Sequence, residues 1–192
     1  MNSLTKVAAE APSRRSFRVT LREMTREDHD ASERFFAPFM DAPQAYMAPF
    51  LAAQHAALSA IRDATARSDA PEIAVILPDL IDRLAQDCAD LSQRPPVVQA
   101  TRPLSGLAGA YLVLGSQMGV DAMRVRATRA GIAPLPRFFQ PTDRRSQWAA
   151  VCAKLGDVDP DSDAARRLID DTRAGYALYA QAGRLTFAKA AT

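Results

Sequence analysis

The stretch Leu21-Arg22-Glu23-Met24-Thr25-Arg26-Glu27-Asp28-His29-Asp30-Ala31-Ser32-Glu33 decides how the rest of the chain is read. Thr20 and Glu23 stand three apart, the spacing of a capping box, and predict a helix that opens at Leu21. At 3.6 residues per turn, Arg22 and His29 fall two turns apart on one face, with Glu33 one turn beyond His29. A cation, an imidazole and a carboxylate in line could bind an anionic group, ligate a metal and orient that ligand. By itself the pattern is common. A histidine on a helix is most often solvated or hydrogen-bonded, and His-Glu pairs four apart often decorate surfaces.

A chain of 192 residues can bury one sizeable core and is most simply a single domain. Glycine is scarce and alanine abundant, which favours helix over sheet. The 24 basic and 22 acidic residues nearly cancel, so net charge predicts no strong attraction to polyanions or membrane surfaces. Apart from Lys6, Lys154 and Lys189 the basic residues are all Arg, and no nucleic-acid motif accompanies them. Cys88 and Cys152 are far apart and lack metal-site spacing, so they read as reduced core thiols of a cytoplasmic protein. Residues 1–16 contain no apolar run long enough for a signal peptide. Although they carry Arg14 and Arg15, they read as a flexible lead-in to a helical domain over 17–192. The apolar run 104–120 is short for a membrane span and holds Ser105, Ser116 and Gln117, which predicts a buried helix.

Apolar periodicity predicts helices over 21–36, 42–65, 71–91, 104–130, from Thr142 or Asp143 to Leu155, and over 162–187. Pro49 and Pro78 are expected to kink or break their helices, whereas Pro43 suits a first turn. Leu77, Leu80, Ile81, Leu84 and Cys88 form the predicted inner face of the third helix. The segments 93–103 and 132–141, each with three prolines, read as connections. Gly131 and Gly156 are the expected helix stops. Without strand alternation or internal repeats, the fold class is all-α with irregular connections.

Gly115 and Gly119 interrupt the fourth helix, at about 1 kcal/mol each relative to Ala. Two explanations stand at this point. Either another helix packs closely there, or a flat ligand lies against exposed backbone at Gly115-Ser116-Gln117-Met118-Gly119.

Taken together, the two segments resemble the haem oxygenase family, especially its bacterial, biliverdin-producing members. The family's first-helix pattern, Leu-basic-Glu-x-Thr-basic-Glu-x-His with Glu four residues later, is matched at Leu21, Arg22, Glu23, Thr25, Arg26, Glu27, His29 and Glu33. The bacterial distal-helix pattern Tyr-x-x-x-Gly-Ser-x-x-Gly is matched at Tyr111, Gly115, Ser116 and Gly119. The run from Ile169 to Tyr176 is similar to the family's final helix, and the resemblance spans about residues 21–185.

The resemblance implies an all-α, single-domain, haem-oxygenase-like fold holding haem between the first helix and the glycine-containing distal helix. Carried over by position, His29 is the proximal haem-iron ligand and Glu33 fixes its ring and tautomer. Arg22 and Arg145 pair with haem propionates, and Tyr111 faces the haem edge or distal pocket. Gly115, Ser116 and Gly119 bring the distal backbone over the ring as the catalytic segment. Haem is then both substrate and cofactor, cleaved with O2 and electrons from an external reductase or ferredoxin to biliverdin, carbon monoxide and ferrous iron. Two positions depart from the pattern. Val120 replaces a second glycine and Ala149 replaces a further propionate-binding Arg, which leaves the cleavage position open; Ser116 does not replace the distal carboxylate of some relatives, and Asp121 is the nearest acid in sequence. A non-catalytic haem carrier or sensor on the same fold is the alternative, and a helical interaction protein without haem the more distant one. His55, the other histidine, is expected to pack within the second helix.

Overall fold

Buried apolar spacing, more than capping residues, sets where the helices begin. The computed structural model describes residues 16–66, 69–141 and 144–190, with side chains as far as Phe187. The first helix, α1, spans Phe17–Met24 and so starts four residues before the predicted Leu21. Phe17 and Leu21 lie one turn apart and both are fully buried, which brings residues 17–20 into the helix. Ser16, not Thr20, occupies the N-cap position, without a side-chain cap bond. At Thr25 the backbone leaves helical geometry (φ −113°, ψ 9°) while the hydroxyl donates to Leu21 O at 2.8 Å. The chain bends there and continues as α2, Arg26–Glu33. The predicted single helix over 21–36 is therefore two helices, and Pro38 opens a short α3, Ala37–Asp41, instead of ending one.

The long α4, Pro43–Ala64, begins on Pro43 as expected and passes through Pro49 unbroken. A proline there forfeits one intrahelical bond, but Pro49 and its neighbours Phe50, Leu51, Ala52 and Ala53 are all buried, and that packing holds the helix together. The next helix, α5, spans Ile76–Asp90, five residues shorter at its start than predicted because 71–75 form turns. Pro78 falls in its first turn, where its missing N–H costs nothing, so no break occurs. Its predicted inner face is correct: Leu77, Leu80, Ile81, Leu84 and Cys88 are buried, whereas Cys152, expected in the core, is only half-buried.

The fourth predicted helix is divided at Gly119 into α6, Gly106–Met118, and α7, Val120–Arg129. Ser105 caps α6 by accepting from Ala108 N at 3.4 Å. Gly131, at φ +79°, ends the segment after α7. Thr142 and Asp143 lie outside the described residues, and Arg144 occupies the N-cap position of α8, Arg145–Gly156. The last helix, α9, spans Asp163–Ala190, with the Ser162 hydroxyl accepting from Ala165 N at 3.1 Å.

The result is all-helical; among the described residues the sole sheet-like pairing is an isolated bridge between Thr65 and Leu104. No described helix is long and apolar enough to cross a membrane, and most of α6 is buried. The axis of the fold is α9, which packs on α4, α6, α2 and α1. One end of the core is aromatic: Phe39, Phe50 and Phe139 stack with near-parallel rings, and Phe138 meets Phe50 edge-on. A buried carboxylate secures that end. Asp87 on α5 accepts from Arg137 N and Phe138 N, both at 2.9 Å, and from the Arg137 guanidinium at 3.2 Å.

Candidate functional site

His29 projects from α2 with 44% of its side chain exposed, and each ring nitrogen faces a carboxylate. Nε2 is 3.3 Å from Glu33 Oε1, and Nδ1 is 3.3 Å from Asp30 Oδ1. An ion on one nitrogen therefore leaves a carboxylate free to orient the other. Ligand atoms of these three side chains lie within 4.8 Å of one another. Glu33 was expected and Asp30 was missed, because neighbours in a helix do not usually face each other. The ring of Tyr176, on α9, meets His29 edge-on at 5.4 Å and 86°. Arg173, also on α9, holds α2 in place by pairing with Asp28 at 3.5 Å and donating to Met24 O at 3.0 Å.

Thr25 lies between Arg22 and His29, so the two do not share one straight helix as the spacing had predicted. Arg22 is exposed, and together with Arg18 it lies close enough to Tyr111 to oppose electrostatically the upward push of burial on that phenol. This brings α1 and α6 into one neighbourhood, with Tyr111 itself buried and stacked on Trp148 of α8 at 5.8 Å. Arg145 and Ala149 are both exposed on α8.

The glycines divide into two groups. A Cβ on Gly175 would come 2.0 Å from Leu112 Cδ1, and one on Gly183 would come 2.5 Å from Phe35 Cβ. Gly106 and Gly109 are crowded in the same way, by Asp69 and Thr65. These are packing glycines. Gly115 and Gly119 are different. A Cβ on Gly115 would meet Trp148 at 3.8 Å, and one on Gly119 would meet only Ser116 O at 3.7 Å, both ordinary contacts. Crowding by a packed neighbour therefore does not require glycine at either position of the distal motif.

Other side chains on this segment are committed. The Ser116 hydroxyl donates to Val113 O at 2.8 Å and accepts from Tyr179 at 3.4 Å. Burial pushes the Tyr179 phenol up to about 12, so it keeps its proton across the neutral range. Val120 is buried at the start of α7. Asp121 is exposed and pairs with Arg124 at 3.2 Å. His55 is half-buried on α4, as expected, and burial lowers its pKa. Two surface concavities, one lined by Arg62, Ile73 and Leu77 and another by Arg124, Arg129 and Leu135, include none of the motif residues.

Both α2 and α6 pack on α9. The His29 side chain and the open glycine face are thus presented from two helices that share one support, with Tyr176 and Tyr179 of α9 reaching one to each. Compared with known proteins, the chain matches no family model and no curated sequence.

Proposed function

We propose that this chain has a haem-oxygenase-like fold, binds haem between α2 and the open face of α6, and opens the ring with dioxygen. The observations that carry the reading are that a Cβ would fit at Gly115 and Gly119 without a clash, and that α9 also supports an imidazole whose two nitrogens are both served by carboxylates. That combination suits a planar, metal-centred ligand better than it suits helix packing. Bound haem supplies the iron that activates dioxygen and is itself the substrate, giving biliverdin, carbon monoxide and ferrous iron with electrons from a separate reductase or ferredoxin.

The protein's part is positional. His29 offers one nitrogen to the iron, while Glu33 or Asp30 holds the proton on the other and so sets the tautomer. Arg22 and Arg145, both exposed, would pair with the two propionates as fork-shaped donors. With haem bound, the α6 backbone at Gly115 and Gly119 would lie against one face of the ring and restrict the space there. Ser116 gives its own proton to Val113 O, so it serves as an acceptor that fixes Tyr179 or an ordered water.

The test is an optical titration of the purified chain with haemin, followed by reductant and catalase in air. A saturable Soret band that decays as a biliverdin spectrum grows supports the reading. A stable Soret band under a competent electron donor makes the chain a haem carrier or sensor. Absence of a specific Soret band leaves a helical interaction protein.

A further inference from the structure

We propose that Asp171 is a positioning residue: by clasping the start of α6 onto α9, it sets how far along α9 the Gly115–Gly119 segment stands relative to His29. The inference rests on the haem-binding reading above for its consequence, whereas the clasp belongs to the protein alone.

Asp171 lies on α9 within the run Ile169 to Tyr176, and its side chain is 9% exposed. Oδ2 accepts from Ser105 N at 2.9 Å, and Oδ1 accepts from the Arg102 guanidinium. Ser105 is the N-cap of α6. One buried carboxylate therefore holds both the connection that leads into α6 and the residue that opens it. Further along, Gly175 lets Leu112 approach so closely that a Cβ would come 2.0 Å from Leu112 Cδ1. Beyond that, Tyr179 donates to Ser116 at 3.4 Å. Asp171, Gly175 and Tyr179 stand four apart and form one stripe of α9. They meet Ser105, Leu112 and Ser116 in that order, so the two helices run side by side in the same direction.

A second stripe of α9 serves the other helices. Arg173 pairs with Asp28 at 3.5 Å and donates to Met24 O at 3.0 Å, and Tyr176 meets the His29 ring edge-on. The stretch 171–179 thus carries both sides of the proposed site, and their relative height is read along it. Apolar packing alone would set that height loosely. Much of the buried surface of α6 is Ala, Leu and Val, and apolar contact has no direction. A buried carboxylate shared between a guanidinium and a backbone N–H is charge-assisted and directional. One residue of slip moves a helix by about 1.5 Å, enough to change which edge of a bound ring the glycines face.

The test is a distance. In the full chain carrying Cys152→Ala, with Cys88 buried out of reach of the label, nitroxides on Glu27→Cys and Met118→Cys report the spacing of α2 and α6 without haem; both positions are exposed. Asp171→Ala should shift or broaden that distance by about 2 Å or more, a little over one residue of slip. Arg102→Ala removes only the half-exposed cation and should act in the same direction by less. Asp171→Asn keeps an acceptor for Ser105 N and should lie closer to wild type than Asp171→Ala does. With haemin bound and reduced, Asp171→Ala should change the ratio of biliverdin isomers by about threefold or more. The iron–imidazole stretching band, a property of the His29 side, should stay in place, whereas general loosening would disturb both. A wild-type distance distribution in Asp171→Ala and Arg102→Ala would overturn the proposal, and Arg102→Ala decides alone if Asp171→Ala does not fold. If wild type binds no haemin, the haem reading fails while the distance still decides the role of Asp171.

Discussion

Replacing Gly119 with Ala separates the two uses a glycine can have. In the haem-free chain the new Cβ meets only Ser116 O at 3.7 Å, and the backbone there (φ −86°, ψ −14°) suits any L-residue. The sole energetic change is then reduced freedom of the unfolded chain and better helix propensity, about 0.5–1 kcal/mol in favour of the folded state. For a chain of this size that raises the thermal midpoint by roughly 1–4 °C. Haem binding should move the opposite way. If the macrocycle lies there as we propose, a methyl group would force a shift of ligand or helix, and overpacking of this kind costs about 1–3 kcal/mol. That corresponds to haemin binding weakened by about 5- to 150-fold. Gly183→Ala is the control, since its Cβ would strike Phe35 Cβ at 2.5 Å and should lower stability. Urea unfolding and haemin titration of both variants supply the readouts. Unchanged haemin affinity in Gly119→Ala would show that no ligand lies over Gly119, and a destabilised haem-free Gly119→Ala would restore the packing explanation.

Asp87→Ala should destabilise the fold by about 2–5 kcal/mol in urea unfolding, because it strands the buried N–H groups of Arg137 and Phe138; a loss below about 1 kcal/mol would mean the aromatic end holds without its clasp. His29→Ala should abolish turnover while leaving weak haem binding, and full activity in that variant would remove His29 from the iron. Arg22→Ala should speed haem dissociation or mix the ring-cleavage products, so an unchanged rate and product pattern would count against a propionate contact. His55 provides the pH dependence: its folded pKa lies below the ordinary 6.5, so the unfolded chain binds more protons near that pH. Its stabilising contribution is complete above 6.5 and is lost as pH falls from there through the lower folded value. Denaturation midpoints should fall over that window, and His55→Gln should flatten the slope.

Periodicity made most helices legible, because burial of a stripe every 3.6 residues leaves its mark in the chain itself. The inner face of α5 is an example, with each of its five predicted positions buried. Helix ends were harder to read. Thr20 and Glu23 have capping-box spacing, yet Phe17 and Leu21 pull the helix start back to Phe17, since burying two large apolar side chains outweighs a cap worth about 1 kcal/mol. Prolines misled for the related reason that tertiary burial carried α4 across Pro49. Asp87 was invisible as a clasp: its partners are fifty residues away in the chain, and its only local signature is a carboxylate next to the inward-facing Cys88.

The site shows the same division between local and distant information. The spacing of His29 and Glu33 is local, and they face one another at 3.3 Å as a one-turn separation requires. What a glycine in a helix is for depends instead on the element opposite it. Gly175 lies in the run 169–176 and Gly183 outside any motif, and close approach of Leu112 and Phe35 accounts for both. Gly115 and Gly119, the pair the sequence singled out, have nothing opposite that a methyl group would strike. A helix keeps an unfavoured residue where something must come near. Trp148 and Ser116 O approach these two only at ordinary contact distances, so crowding does not require glycine at either; Gly119 marks the break between α6 and α7, and a ligand over the pair is the reading we propose, on the helix that Tyr179 ties to α9 through Ser116.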